Sequence, residues 1–173
     1  MAIKGPLYTK TTWTFEERPV SSAKLNFWDD RIEAALETVC YLLCLAWGGG
    51  NGVVRGASTD DLAVVAKSPP SLTVQVKPGY AFIRRLPYKL AVITDAPDPA
   101  VPTTHPRIDL VQASLETWGV SIKQGTEAAS PVAPTPDTDC IALAQIYARP
   151  GMTSIKNTDD ATNGYLIDAR TFL

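Results

Sequence analysis

The sequence reads as a mainly β chain, with an extended N-terminal arm and one long helix leading into an antiparallel β-sandwich or small barrel. Fourteen Pro and 11 Gly are spread along 173 residues, the punctuation of many short strands joined by turns. Apolar residues alternate with polar ones from residue 53 onward, which is strand periodicity. Only the stretch from Ser22 to Trp47 carries the alternating three-four apolar spacing of a helix seam.

Residues 1–21 read as an extended anchoring arm. Tyr8, Trp13 and Phe15 are large, and Thr9, Thr11, Thr12 and Thr14 are β-branched and resist helix. Arg18-Pro19 then interrupts any regular element, because the residue before proline is pushed out of the α region. An arm with aromatic anchors and no core of its own must dock, either on this chain or on a partner. The helix, residues 22–47, can be capped by Ser21 or Ser22. Its seam is Leu25, Trp28, Ile32, Ala35, Val39, Leu42 and Ala46, held for three heptads. Lys24, Asp29, Asp30, Arg31, Glu33 and Glu37 confine the charges to the first half. From Val39 to Trp47 nearly every face is apolar, so this half is expected to be buried on all sides. Self-association would bury it more easily than a chain of this size wrapping it alone, although an intramolecular core helix is the plainer alternative.

Residues 48–52, Gly-Gly-Gly-Asn-Gly, end the helix and read as a hinge. Residues 53–173 form the β-module. Leu72, Val74 and Val76 alternate, and Pro78-Gly79 turns the chain into Tyr80–Arg84. Further strands are expected at Leu90–Ile93, Ile108–Leu115, Val120–Lys123, Ile141–Ala148 and Tyr165–Arg170. Residues 116–119 form a hairpin turn between two of them. Long Pro-, Ala-, Thr- and Asp-rich loops cover 94–106 and 125–139. No second helix is expected.

Sixteen Lys and Arg against 18 Asp and Glu give a net charge of −2, without the basic excess of a dedicated nucleic-acid binder. The run Val39–Trp47 falls far short of the roughly 20 residues of a membrane span. The first residues lack the apolar stretch of a signal peptide, and Cys40, Cys44 and Cys140 are too few for a disulfide framework. A reducing compartment is expected, with neither nucleic acid nor membrane as a partner.

The search for chemistry is mostly negative. Phosphate-binding loops, dinucleotide fingerprints and nucleophile elbows are absent from the sequence. His105 is the one histidine, so a His-Glu-x-x-His zinc site is excluded, and it reads as a surface loop residue rather than a catalytic base. Cys40, Cys44, Cys140 and His105 together have the composition of a zinc set. Cys40 and Cys44 sit in the most apolar segment, where cysteine behaves as a small hydrophobe, and core placement is favoured. Asp29-Asp30, Asp60-Asp61 and Asp159-Asp160 are adjacent pairs whose side chains diverge. Arg107 with Asp109, and Asp168 with Arg170, share strand faces and are expected to join cross-strand ion pairs. No catalytic, cofactor or metal site is expected.

Two stretches resemble bacteriophage tail-fibre and baseplate proteins. The first is Trp13-Thr-Phe followed by Ser22-Ala-Lys-Leu-Asn-Phe-Trp-Asp-Asp-Arg-Ile-Glu. The second runs over residues 52–173. It includes Leu72-Thr-Val-Gln-Val-Lys-Pro-Gly-Tyr-Ala-Phe-Ile, His105-Pro-Arg-Ile-Asp-Leu-Val, Ile141-Ala-Leu-Ala-Gln-Ile-Tyr, Gly151-Met-Thr-Ser-Ile and Ile167-Asp-Ala-Arg. The resemblance implies a virion structural protein, usually a homotrimer, in which the N-terminal part grips the particle and the β-module extends the axis. Its partners would be copies of itself and other tail, baseplate or neck proteins. The assembly interface would comprise Trp13, Phe15 and the seam. The alternative is a receptor- or carbohydrate-binding module, with Tyr80, Tyr88, Trp118 and Tyr147 as stacking platforms. A depolymerase is the weakest option, since no convergent carboxylate cluster can be located.

Overall fold

A computed structural model describes residues 21–56 and 59–173. The arm, including Trp13 and Phe15, lies outside the described residues apart from Ser21. The first element is helix α1 (Ser22–Ala46), about 37 Å long at 1.5 Å per residue. Ser21 is its N-cap, with Oγ accepting the Lys24 N–H at 3.3 Å. Trp47 closes the helix as C-cap, and Gly48 and Gly49 follow in the left-handed region at φ 95° and 77°. The Gly49 N–H returns to the Cys44 carbonyl at 2.9 Å, satisfying one of the orphan acceptors of the last turn.

The strands follow in order: β1 (Gly52–Val54), β2 (Val64–Ala66), β3 (Val74–Val76), β4 (Gly79–Ile83), β5 (Leu86–Leu90) and β6 (Thr94–Asp95). They continue with β7 (Arg107–Ser114), β8 (Gly119–Lys123), β9 (Cys140–Ala148), β10 (Ile155–Lys156) and β11 (Gly164–Asp168). Their hydrogen-bonded orders are β1-β4-β5, β2-β3-β6 and β10-β11-β9-β7-β8. All pairings between these strands are antiparallel except β10 with β11. Among the described residues the fold is mainly β with one helix, and it includes a sheet curled into a half-barrel. The five-stranded sheet carries one local irregularity. Between Val111 and Gln112 of β7 the register skips Leu143, leaving it as a bulge in β9. The bulged carbonyl is used all the same, accepting the Ala169 N–H at 3.1 Å.

The sheets share one core. Val53, Val76, Ile83, Tyr88, Val111, Leu143, Ile146 and Ile155 are fully buried within it. Withdrawing each large aliphatic side chain from water contributes about 1.5–3 kcal/mol. The chain end closes the assembly: Val53 pairs in parallel with Phe172, donating to the Thr171 carbonyl at 2.8 Å and accepting from the Leu173 N–H at 3.0 Å. The Phe172 ring lies under two guanidinium groups, those of Arg55 and Arg170. A Cβ on Gly52 would stand 2.7 Å from the Thr171 oxygen, so that position has no room for a side chain. Residues 48–52 therefore form the corner between helix and strand, with Gly52 already inside β1.

Two expectations need correction. The strand expected at Leu90–Ile93 stops at Leu90, and Val92 and Ile93 are 67% and 56% exposed. Leu90 pairs with Gly79, and the residue preceding Gly79 is Pro78, which has no N–H with which to extend the ladder. The strand instead runs back to Leu86 through Pro87, tolerated because β5 is the edge of its sheet. The second correction concerns the ion pairs. Arg107 bonds Asp109 of its own strand through two contacts of 2.6 and 2.9 Å, and the pair is buried. Arg107 also donates to the Ala100 carbonyl, and Asp109 accepts the Gly125 N–H at 2.9 Å. Asp168 and Arg170 likewise pair within one segment, and Arg170 reaches the Thr59 and Asp61 carbonyls.

Asp109→Ala leaves a guanidinium buried without its counter-charge, which costs about 3–5 kcal/mol. A Cβ at residue 125 would overlap the Ile108 carbonyl oxygen. Gly125→Ala is therefore expected to cost about 3 kcal/mol, although it removes neither charge. Urea unfolding of both variants against the parent chain measures these losses.

Candidate functional site

The surface with the most unspent apolar area is α1. Its packing against the sheet is with β5, and Cys44 is its one fully buried residue. At 3.6 residues per turn, Ala35 lies two and a half turns before Cys44 and so on the opposite side of the helix. Leu25, Trp28, Ile32, Val39, Leu42 and Ala46 flank Ala35 on that side. The predicted seam is thus one continuous face that, apart from Ile32 at its margin, is turned away from the β-module. Leu25, Trp28 and Ile32 are 46–49% exposed, Val39 is 53% and Leu42 is 59%. Ala46 is exposed and Ala35 half-buried. The expectation that Val39–Trp47 is enclosed on all sides fails within one chain, because Tyr41, Leu42, Leu43, Leu45 and Trp47 are all substantially exposed. The described residues do not wrap this helix.

The helix is nevertheless held at a fixed place. The Trp47 ring meets Phe82 at 5.8 Å, and the Cys44 thiol lies 3.6 Å from the Gly50 carbonyl. Opposite them is the two-residue turn of the β4–β5 hairpin, Arg84-Arg85, with φ of 52° and 68°. That geometry favours Asn-Gly, and left-handed backbone costs an ordinary residue roughly 1–2 kcal/mol. The side chains offset this cost by what they reach. The Arg84 N–H donates to Asn51 Oδ1 at 2.7 Å, and its guanidinium pairs with Asp139 at 2.8 Å. Arg85 stacks over the Tyr41 ring at 5.0 Å. One hairpin tip therefore fastens the helix corner, the end of the 125–139 loop and the helix itself. No sequence signal marked it: two apolar runs are separated by two residues, but neither is Gly, Asn or Asp.

The other candidates are dispersed. His105 is exposed, and its backbone N–H joins those of Thr103 and Thr104 in donating to Glu127 at 2.9–3.1 Å. These three donors hold the Glu127 carboxyl at about 2, below its ordinary 4.5. Cys44 is buried, Cys40 and Cys140 are half-buried, and all three are free thiols. Among the described residues no three His, Cys, Asp or Glu side chains are placed to hold a metal. The adjacent acids do diverge: Asp159 pairs with Arg149 and Asp160 with Lys156, each at 2.9 Å. Among the described residues no helix is long and apolar enough to cross a membrane.

The four aromatic residues do not form one platform. Tyr88 belongs to the core, its hydroxyl donating to the Gly119 carbonyl at 3.3 Å and its phenol pushed up by burial. Trp118 is 55% exposed and stacks on Tyr88 at 6.1 Å. Tyr80 pairs with Lys89 in the ladder position next to Ala81–Tyr88, so Tyr80 and Tyr88 point to opposite faces of the sheet. Tyr147 stacks on Tyr165 at 5.2 Å, with Arg149 over both rings.

Compared with protein-family models, with curated proteins and with solved structures, the chain matches none. Its geometry is therefore the main guide to its work, and that geometry concentrates on α1 and the corner that aims it.

Two outcomes follow for this region. Arg85→Gly relieves left-handed strain but removes the cation from Tyr41. Global stability should change by less than about 1 kcal/mol, while amides of Cys40–Trp47 exchange several-fold faster. For Glu127 the folded value lies below the unfolded one, so its contribution is complete above about 4.5 and lost as pH falls toward about 2. Amide protection at Thr103–His105 should decline across that window, and Glu127→Gln should remove the dependence.

Proposed function

We propose that this chain is a structural assembly module of a bacteriophage particle, an adaptor in a tail fibre, baseplate or neck. In this role α1 joins copies of the chain about a common axis, and the β-module is carried outward from them. The observation that carries the proposal is the apolar seam on the face of α1 opposite its contacts with the sheet. Contiguous exposed apolar surface of this kind marks an interaction site.

The width of the stripe bears on the number of copies. Leu42 and Leu43 are adjacent, so they project 100° apart, and both are strongly exposed. A face that wide exceeds the narrow seam of a two-stranded contact and suits a helix with two neighbours. A homotrimer is the assembly that meets this requirement most simply. The resemblance of residues 13–15, 22–33 and 52–173 to phage fibre and baseplate proteins supports the particle context. The module supports the role in its own way: its sheets share one buried core behind the helix. Carbohydrate recognition has less support, because Tyr88 is committed to the core and the remaining aromatics face different ways.

Light scattering on the purified chain over a concentration series tests the proposal. A stable species of about three times 18.6 kDa is expected. The double variant Val39→Glu, Leu42→Glu should reduce it to single chains while leaving the β-module folded. A parent chain that stays at 18.6 kDa throughout would refute self-association.

A further inference from the structure

Between α1 and the edge strand β5 runs an open groove of about 680 Å3. Ile32 and Leu36 of the helix, with Leu86 and Pro87 of β5, give it apolar walls. Along its rim stand Asp29, Glu33 and Glu37, four residues apart and so aligned on one side of the helix. Among the described residues none of the three is in an ion pair. Arg84 and Arg85, which line a neighbouring cavity with Glu37, are engaged with Asp139 and Tyr41, and Arg31 of the helix lies over Phe27. Like charges at this spacing repel one another, so the line is short of positive charge. An apolar trough with an unbalanced acidic rim is complementary to an apolar segment that carries lysine.

We propose that this groove is the docking site of residues 1–15 of the same chain. That segment carries Ile3, Leu7, Tyr8, Trp13 and Phe15 together with Lys4 and Lys10, and has no acidic residue before Glu16. It leads into Ser21, the N-cap of the very helix that forms one wall. Glu37 lies about 24 Å along the helix from Ser21, and fifteen extended residues span about 50 Å, so the arm can cover the groove by turning back. Attachment at Ser21 also gives the arm an effective concentration in the millimolar range at its own groove, which a second copy's arm does not match in dilute solution. The proposal is independent of self-association, since the seam lies on a different side of the helix and the two faces meet only at Ile32.

The test uses the full chain. Trypsin cleaves after Lys4 and Lys10, and docking should slow cleavage there. Asp29→Lys with Glu33→Lys should speed cleavage after Lys10 at least about tenfold with helix content by circular dichroism unchanged. Separately, Leu7→Cys, Thr9→Cys and Thr11→Cys are made one at a time with Cys140→Ser and oxidised, so that Cys40 at the groove can capture the arm. A disulfide within one chain at one or more of the three positions supports the proposal. A disulfide only between two chains, no link at any position, or equal cleavage rates would overturn it. The mass of each sample by light scattering reports on the seam separately.

Discussion

The buried pair of Arg107 and Asp109 is the constraint on which the shape of the β-module depends. Two charges enclosed in the sheet are tolerated because each has a further hydrogen-bond partner: Arg107 the Ala100 carbonyl, Asp109 the Gly125 N–H. Those partners belong to the two long loops, which beyond the two residues of β6 contain no regular structure and many prolines. The pair thus fixes one point on each loop against β7, and further bonds follow from there. Glu127 gathers the backbone of residues 103–105 on one side. On the other side Asp137 pairs with Lys123 and exchanges bonds with Gln112. Loops of this length would otherwise have a large choice of conformations to lose.

The helix follows a different economy. The module encloses its own core, whereas α1 keeps most of its apolar surface in water and is held mainly at one end by Trp47, Cys44 and Arg85. Rigid attachment at that end gives an exposed face a defined direction. The two consecutive left-handed arginines make sense in this light. Asn-Gly would form the turn more cheaply but would reach neither Asp139 nor Tyr41. Backbone strain at the tip is exchanged for control of where the helix points.

Much of the fold was legible because periodicity and punctuation agree. The helix boundaries came within a residue from Ser21, the three-four spacing and the glycines. Strands β7, β8, β9 and β11 alternate or run apolar long enough to be recognised. The short strands β2, β6 and β10 did not, since two or three residues carry no period, and β6 lies inside the stretch 94–106 that was expected to be loop. β5 was misplaced because Pro87 argues against a strand unless its position at a sheet edge is known, and edges are a property of the whole sheet. The seam could be listed residue by residue from spacing alone. Its exposure could not, because burial depends on what the remaining 120 residues choose to cover. Arg84 and Arg85 were hidden for a related reason: their roles are set by contacts 33 to 55 residues away in the chain.

The parallel pairing of Val53 with Phe172 also bears on the order of events during synthesis. The first strand of the module waits for residues 171–173, nearly 120 positions later, before its second edge is completed, and contacts of such long separation form slowly. The helix precedes that strand and needs only local bonds. On the ribosome α1 can therefore take shape while its supporting module is still unfinished. Chains growing side by side on one message would present these bare helices to each other first, so a shared axis could be founded before any single β-module has closed.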